Sequence, residues 1–231
     1  MTPHRTTPGR GGSARRGVLF DLDGTLLDTI DDIVEALNES LTLLGCPTHP
    51  AAACRMFVGE GVERLLARAL PGERQDRETI LRGVRLFDEA YARSWNRHTR
   101  VYDGIPELLD GLSSRRIPMA VLSNKPHRFT RMAVGHFLGR WEFDPVQGAA
   151  DDVPRKPDPT GALSVARRMG LPSGEMVYLG DSSVDMRTAI GAGMLPVGAA
   201  WGFRGRSELS AAGAALVIDA PPELLTILGT D

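Results

Sequence analysis

Lysine is nearly absent from this 231-residue chain: of its 27 basic residues only Lys125 and Lys156 are lysines, the rest arginines. The arginine excess reads as coding bias, which makes the two exceptions informative. Cysteine is equally scarce. Cys46 and Cys54 are too few for a disulfide framework, and no Cys/His spacing suggests zinc. Two unpaired thiols fit a reducing cytoplasm, the expected location. The formal net charge is only −2, which gives no electrostatic ground for nucleic acid or a membrane surface as partner. No apolar run approaches the roughly 18 residues of a membrane span. The first sixteen residues, MTPHRTTPGRGGSARR, contain no Val, Ile, Leu or Phe, so the apolar stretch of a secretory signal is missing there. Pro3, Pro8 and the glycines would spoil the amphipathic helix of an organelle leader. Residues 1–16 are expected to be a disordered tail or the result of a start codon placed too early.

What is present is an ordinary globular composition, 42% hydrophobic and 24% charged. The length suits one sizeable core and a smaller companion domain. Val18, Leu19 and Phe20 read as a buried strand. From residue 30 to 97 the pattern is helical throughout. Ile30, Ile33, Val34, Leu37, Leu41 and Leu44 fall at helical spacing up to Gly45-Cys46-Pro47, and further helices are expected near 49–57, 62–70 and 76–97. From Pro106 helices and strands alternate. Helices are expected near 106–115, 127–138, 159–169, 184–191 and 221–228. Strands are expected at 117–122, near Val146, and at 176–179, 195–199 and 215–218. Such alternation predicts an α/β fold, a Rossmann-like parallel-sheet core covered on both faces. The core would comprise 17–29 and 98–231, with 30–97 as an inserted all-α unit. Ligands of such sheets bind beyond the carboxyl ends of the strands, where DLDGT, SNK and GDSSVD all lie.

Asp21 and Asp23 close the first strand two positions apart and project to the same side of an extended chain. Asp181 and Asp185 end another. If the two strands are neighbours, three or four carboxylates converge, and unpaired anions at that density are strongly unfavourable. A divalent cation is the natural compensation, and an all-oxygen donor set favours magnesium. A solvated Asp-rich turn would account for DLDGT alone, but not for a second acidic strand end. Ser123 and Asn124 end the strand 117–122 with a hydroxyl and free N–H groups before a helix, a suitable anion cradle. Lys156 lies in PRKPDP, a proline-stiffened loop. It follows Arg155 directly, so a compact ammonium, not a guanidinium, is required there. Lys125 is either a similar group or an exposed cation at a helix start.

Taken in order, DxDGT, Ser, Lys and GDxxxD resemble the haloacid dehalogenase-like hydrolase superfamily, from about Gly17 to the end of the chain. The helical insertion after the first motif resembles members with an α-helical cap. FVGEGVERLLARAL, SNKP, RKPDP and GDSSVDM look like phosphoglycolate phosphatases. The resemblance implies that Asp21 is the nucleophile, forming an aspartyl-phosphate. Asp23 would protonate the leaving alkoxide and later activate water. Asp21, Asp181 and the backbone carbonyl of Asp23 would bind Mg²⁺, with Asp185 steering the metal or its waters. Ser123, Asn124 and Lys156 would bind the phosphoryl group.

The implied substrate is a small phosphate monoester, 2-phosphoglycolate first. A broader sugar- or metabolite-phosphate phosphatase, or a phosphoglucomutase-like phosphotransferase, is the alternative. The chain would act as a monomer or homodimer. In the cap, Gly59 and Gly61 beside Arg64 and Arg55 either cradle the substrate carboxylate or merely separate two helices. Trp201, in AAWGFRG, either faces the cleft or packs as an ordinary core aromatic.

Overall fold

The computed structural model describes residues 16–228. The expected tail, Arg16 apart, lies outside the described residues. Six strands form one sheet: β1 (Gly17–Phe20), β4 (Met119–Pro126), β5 (Val146–Ala149), β6 (Met176–Gly180), β7 (Leu195–Ala199) and β8 (Leu216–Ile218). Their order is β5-β4-β1-β6-β7-β8, and every pairing is parallel. Two short strands missed in the sequence, β2 (Leu27–Asp28) and β3 (Arg100–Val101), pair antiparallel where the chain leaves for the helical segment and returns from it.

Strand side chains alternate between the two layers, as the pleat requires. Val18, Phe20, Val121, Val177 and Leu179 enter one apolar cluster, together with Ile105, Leu108 and Leu112 of helix α5 (Ile105–Ser114). Leu19, Ala120, Leu122, Met176 and Tyr178 enter the other, with Ala162 and Val165 of α7 (Thr160–Arg168) and Ala189 of α8 (Ser183–Gly191). Burial of both faces explains why these strands read as continuous apolar runs. Helices α6 (His127–Phe137), α9 (Arg206–Ala211) and α10 (Leu224–Ile227) complete the layers.

Between β2 and β3 lie α1 (Ile30–Leu43), α2 (Ala51–Phe57), α3 (Val62–Ala69) and α4 (Arg77–Ser94). They enclose an apolar cluster of their own, and Phe129 of α6 is the one buried member from outside that segment among the described residues. Asp76 caps α4 by accepting from the Thr79 N–H at 2.9 Å. Asp32 of α1 is fully buried and accepts from His98 N, Thr99 N and Thr99 Oγ1 at 2.9, 2.9 and 2.6 Å, tying the returning chain to α1. Among the described residues no helix is long and apolar enough to cross a membrane.

Expected and observed elements agree in type, with ends shifted by up to four residues. One shift matters for the site. The strand expected to stop at Leu122 continues as β4 to Pro126, with irregular pairing after Leu122. Ser123 and Asn124 therefore sit inside an extended segment and not in an open turn. The side chain of Lys125, next in the segment, is buried.

Candidate active site

β1 lies between β4 and β6, so their carboxyl ends meet at one point. Asp21 follows β1, Ser123 to Lys125 close β4, and Asp181 follows β6. Gly24 makes the close approach possible. Its φ of +87° is a left-handed conformation, and a Cβ there would collide with the Asp181 carboxylate. The nearest oxygens of Asp21, Asp181 and Asp185 all lie within 4.8 Å of one another.

Lys156 Nζ stands 2.8 Å from Asp21 Oδ1 and 2.7 Å from Asp185 Oδ1, and it is 5% exposed. Asp185 also accepts from Tyr178 Oη at 3.3 Å. Its Oδ2 accepts from Ser182 N at 3.1 Å and Ser182 Oγ at 2.5 Å, closing the capping box of α8. Its oxygens are thus committed to Lys156 and to the helix start. Among the described residues Asp181 accepts from a single donor, the Phe203 N–H, at 2.7 Å from Oδ2.

Burial pushes the Asp21 carboxyl up to about 7, the Asp185 charge adds to the rise, and Lys156 opposes it. Asp181 is raised well above the usual carboxylate range, first by burial, then by Asp185 and Asp21. Among the described residues, the ion-pair partners of the four carboxylates at 21, 23, 181 and 185 are the two ammonium groups of Lys125 and Lys156. A third cation of the cleft, Arg204, is turned elsewhere. A divalent cation fits this all-oxygen, charge-deficient set.

Asn124 departs from expectation. Its side-chain amide donates to the carbonyls of Gly59 at 2.9 Å and Lys156 at 3.0 Å, and accepts from Lys156 N at 2.9 Å. It lines the cleft and is at the same time a strut between the helical segment and the Lys156 loop. Ser123 Oγ accepts from Lys125 N at 3.1 Å and lines the cleft. Lys125 is no exposed helix-start cation. Its Nζ is buried 2.8 Å from Asp23 Oδ1 and 4.7 Å from the centre of the Tyr91 ring.

Gly59 and Gly61 line the cleft, whereas Arg64 is exposed on α3 and outside the lining, and Arg55 is exposed as well. The helical periodicity that buries Leu65 and Leu66 turns Arg64 outward. Two cations reach the segment 55–58: Arg68, which donates to the Phe57 carbonyl at 3.0 Å, and Arg204, which donates to the carbonyls of Arg55 (2.5 Å), Met56 (3.2 Å) and Val58 (2.9 Å). Arg204 lies five residues beyond β7 in WGFRG, and its place in the loop after a core strand was the available sequence signal. Trp201 packs against the core and donates to Thr25 O at 2.9 Å.

A sequence profile of the haloacid dehalogenase-like hydrolases matches residues 18–199. The chain belongs to that family. A phosphoglycolate phosphatase of Pseudomonas putida is 35% identical over 218 residues, covering 90% of this chain and 78% of its own. One from Vibrio parahaemolyticus is 31% identical, with 91% and 95% covered. Among solved structures, a provisionally assigned phosphoglycolate phosphatase of Lactobacillus delbrueckii subsp. bulgaricus superposes with a TM-score of 0.85. Its identity is 28%, and 94% of this chain and 100% of that one are covered. This hydrolase is therefore phosphoglycolate phosphatase-like, as its motifs suggested. Asp21 and Asp23, after β1, and Asp181, after β6, line its cleft.

Proposed function

We propose that this hydrolase is a magnesium-dependent phosphomonoesterase, working through an aspartyl-phosphate on 2-phosphoglycolate. The observation that carries the reading is the surroundings of Asp21: a buried carboxylate 2.8 Å from the Lys156 ammonium, with Asp181 alongside. One oxygen of Asp21 attacks phosphorus, and the ester P–O bond breaks as Asp23 gives its proton to the leaving alkoxide. Asp23 then takes a proton from the water that attacks the phosphorus of the aspartyl-phosphate. Inorganic phosphate leaves and Asp21 is restored.

Lys156 and the Ser123 hydroxyl hold the phosphoryl oxygens, and Asp185 keeps Lys156 in place. Asp21, Asp181 and the Asp23 carbonyl would hold magnesium, which when bound screens the repulsion between nucleophile and phosphoryl group. Residues 30–97 act as a cap over the core of 17–29 and 98–231. Gly59 and Gly61 present main chain to the substrate, and Arg64 has no part. The enzyme works in the cytoplasm on a free small molecule, as a monomer or homodimer, without nucleic acid or membrane.

One observation favours a broader sugar- or metabolite-phosphate phosphatase as the second reading. The helical segment lines the cleft with Ile33, Val58, Val62, Leu65 and Phe87, none of them charged, in a space of about 700 Å³ including its open mouth. A panel of phosphate monoesters, ranked by kcat/KM with magnesium and with a chelator, decides between the readings. The expected result is 2-phosphoglycolate in first place and no turnover in chelator. A neutral ester ranking first transfers the assignment to the second reading. Asp21→Asn is expected to abolish turnover with the fold intact, and retained activity would refute the nucleophile.

A further inference from the structure

Lys125 has no part in the scheme above, although burying it is demanding. The residue is 8% exposed, and an unpaired ammonium at that depth is strongly unfavourable. Burial acts to lower its pKa, but the Asp23 charge and the Tyr91 phenol outweigh this and hold it above the usual lysine value. The ion pair is specific: Nζ stands 2.8 Å from Asp23 Oδ1, while Asp23 Oδ2 has no hydrogen-bond partner among the described residues.

The third member, Tyr91, comes from α4 and not from the sheet. Its ring lies over the ammonium, stacks on Phe87 at 5.5 Å and meets Phe129 edge-on at 5.1 Å. Phe129 is the residue through which α6 enters the apolar cluster of the helical segment. Asp23 on the core, Lys125 on β4 and Tyr91 on α4 thus form one chain of contacts across the two parts of the molecule. Lys156, by contrast, pairs with Asp21 and Asp185, and among the described residues Lys125 is the ion-pair partner of Asp23.

Resting on the phosphatase reading, we propose that Lys125 is a positioning residue. It pins Asp23 Oδ1 so that Oδ2 meets the leaving-group oxygen, and Tyr91 makes this placement depend on the docked helical segment. A proton donor contributes only within hydrogen-bond reach of its target, and small misplacements are costly. The effect must also depend on the leaving group. A strongly basic alkoxide needs the proton of Asp23, whereas a nitrophenolate departs without one.

The test compares an alkyl ester, 2-phosphoglycolate, with p-nitrophenyl phosphate, both with magnesium present. The readout is kcat/KM, which reports the first phosphoryl transfer and not the hydrolysis step common to both esters. Lys125→Met is expected to lower kcat/KM for the alkyl ester by about 10²-fold or more and for the aryl ester by less than about tenfold. The inhibition constant of inorganic phosphate is expected to stay within about threefold, since Lys125 holds no phosphoryl oxygen. Lys125→Arg is expected to restore part of the alkyl activity. Tyr91→Leu leaves the ion pair in place, so it serves even if Lys125→Met does not fold, and it is expected to show the same bias toward the aryl ester. Equal losses on both esters, or a phosphate inhibition constant raised tenfold, would overturn the proposal in favour of a phosphate-binding or purely structural lysine. Wild-type protein that turns over neither ester would instead overturn the phosphatase reading beneath it.

Discussion

Removing divalent cations from this hydrolase should make its stability depend on pH in a direction set by Asp21. The carboxyl rises from 3.8 to about 7, chiefly through burial, then through the Asp185 charge, against the pull of Lys156. A carboxyl whose pKa is higher folded than unfolded binds its proton more tightly in the folded state. Its contribution to stability is complete below 3.8 and is lost as pH rises through about 7. Between about pH 5 and about pH 8 the linkage relation gives a loss of about 2–3 kcal/mol from Asp21 alone. Asp181, raised by burial and by its acidic neighbours, acts with the same sign.

Magnesium at about 100 times its dissociation constant would restore about 2.7 kcal/mol at the upper pH, and less at the lower, where protons compete for the same oxygens. Urea denaturation in chelator and in magnesium, at both pH values, measures all four quantities. Asp21→Asn is the control, because an amide does not titrate and should flatten the pH dependence. Equal stability at both pH values in chelator, or a slope unaffected by Asp21→Asn, would refute crowding of the carboxylates and with it the physical reason for a metal.

Two further perturbations examine the join between the helical segment and the core. Asp32→Ala leaves the main-chain N–H groups of His98 and Thr99 without their acceptor and the Thr99 hydroxyl with only its longer bond to the Trp95 carbonyl. At about 1–3 kcal/mol for each buried group it should cost about 3 kcal/mol or more in urea denaturation, and a loss below about 1 kcal/mol would contradict it. Arg204→Ala releases the carbonyls of Arg55, Met56 and Val58. Amide hydrogen exchange over residues 55–61 should accelerate about tenfold or more, and unchanged exchange there would show that the guanidinium is no clamp.

Much of the fold was legible because its signals are local. Val18-Leu19-Phe20 and Val177-Tyr178-Leu179 read as strands since a parallel sheet buried on both faces needs unbroken apolar runs. Residues 30–44 read as a helix because one face must be apolar. The pairing of Leu27–Asp28 with Arg100–Val101 was invisible, as two residues carry no period and their partners lie far apart in the chain. At the site, the acids after β1 and β6 were legible because carboxylates at the ends of apolar strands contradict their setting. The settings of Asn124, tied to Gly59 and Lys156, and of Arg64, exposed on α3, were illegible for a common reason. Residue type says what a side chain can donate, whereas the backbone that carries it determines what it reaches. Lys125 had a signal, its rarity, but no sequence pattern linked it to Asp23 or Tyr91.

By itself, then, the sequence determined the α/β alternation, the helical insertion after the first strand, and which strand ends carry acid. These follow from short-range periodicity and from the repulsion of like charges. Only the tertiary structure decided how the charges are paired: Lys156 with Asp21 and Asp185, Lys125 with Asp23, and Arg204 with the carbonyls of α2. Those pairings join residues from about 30 to about 150 positions apart, and at that range the order of strands in the sheet, not the spacing of letters, sets which groups touch.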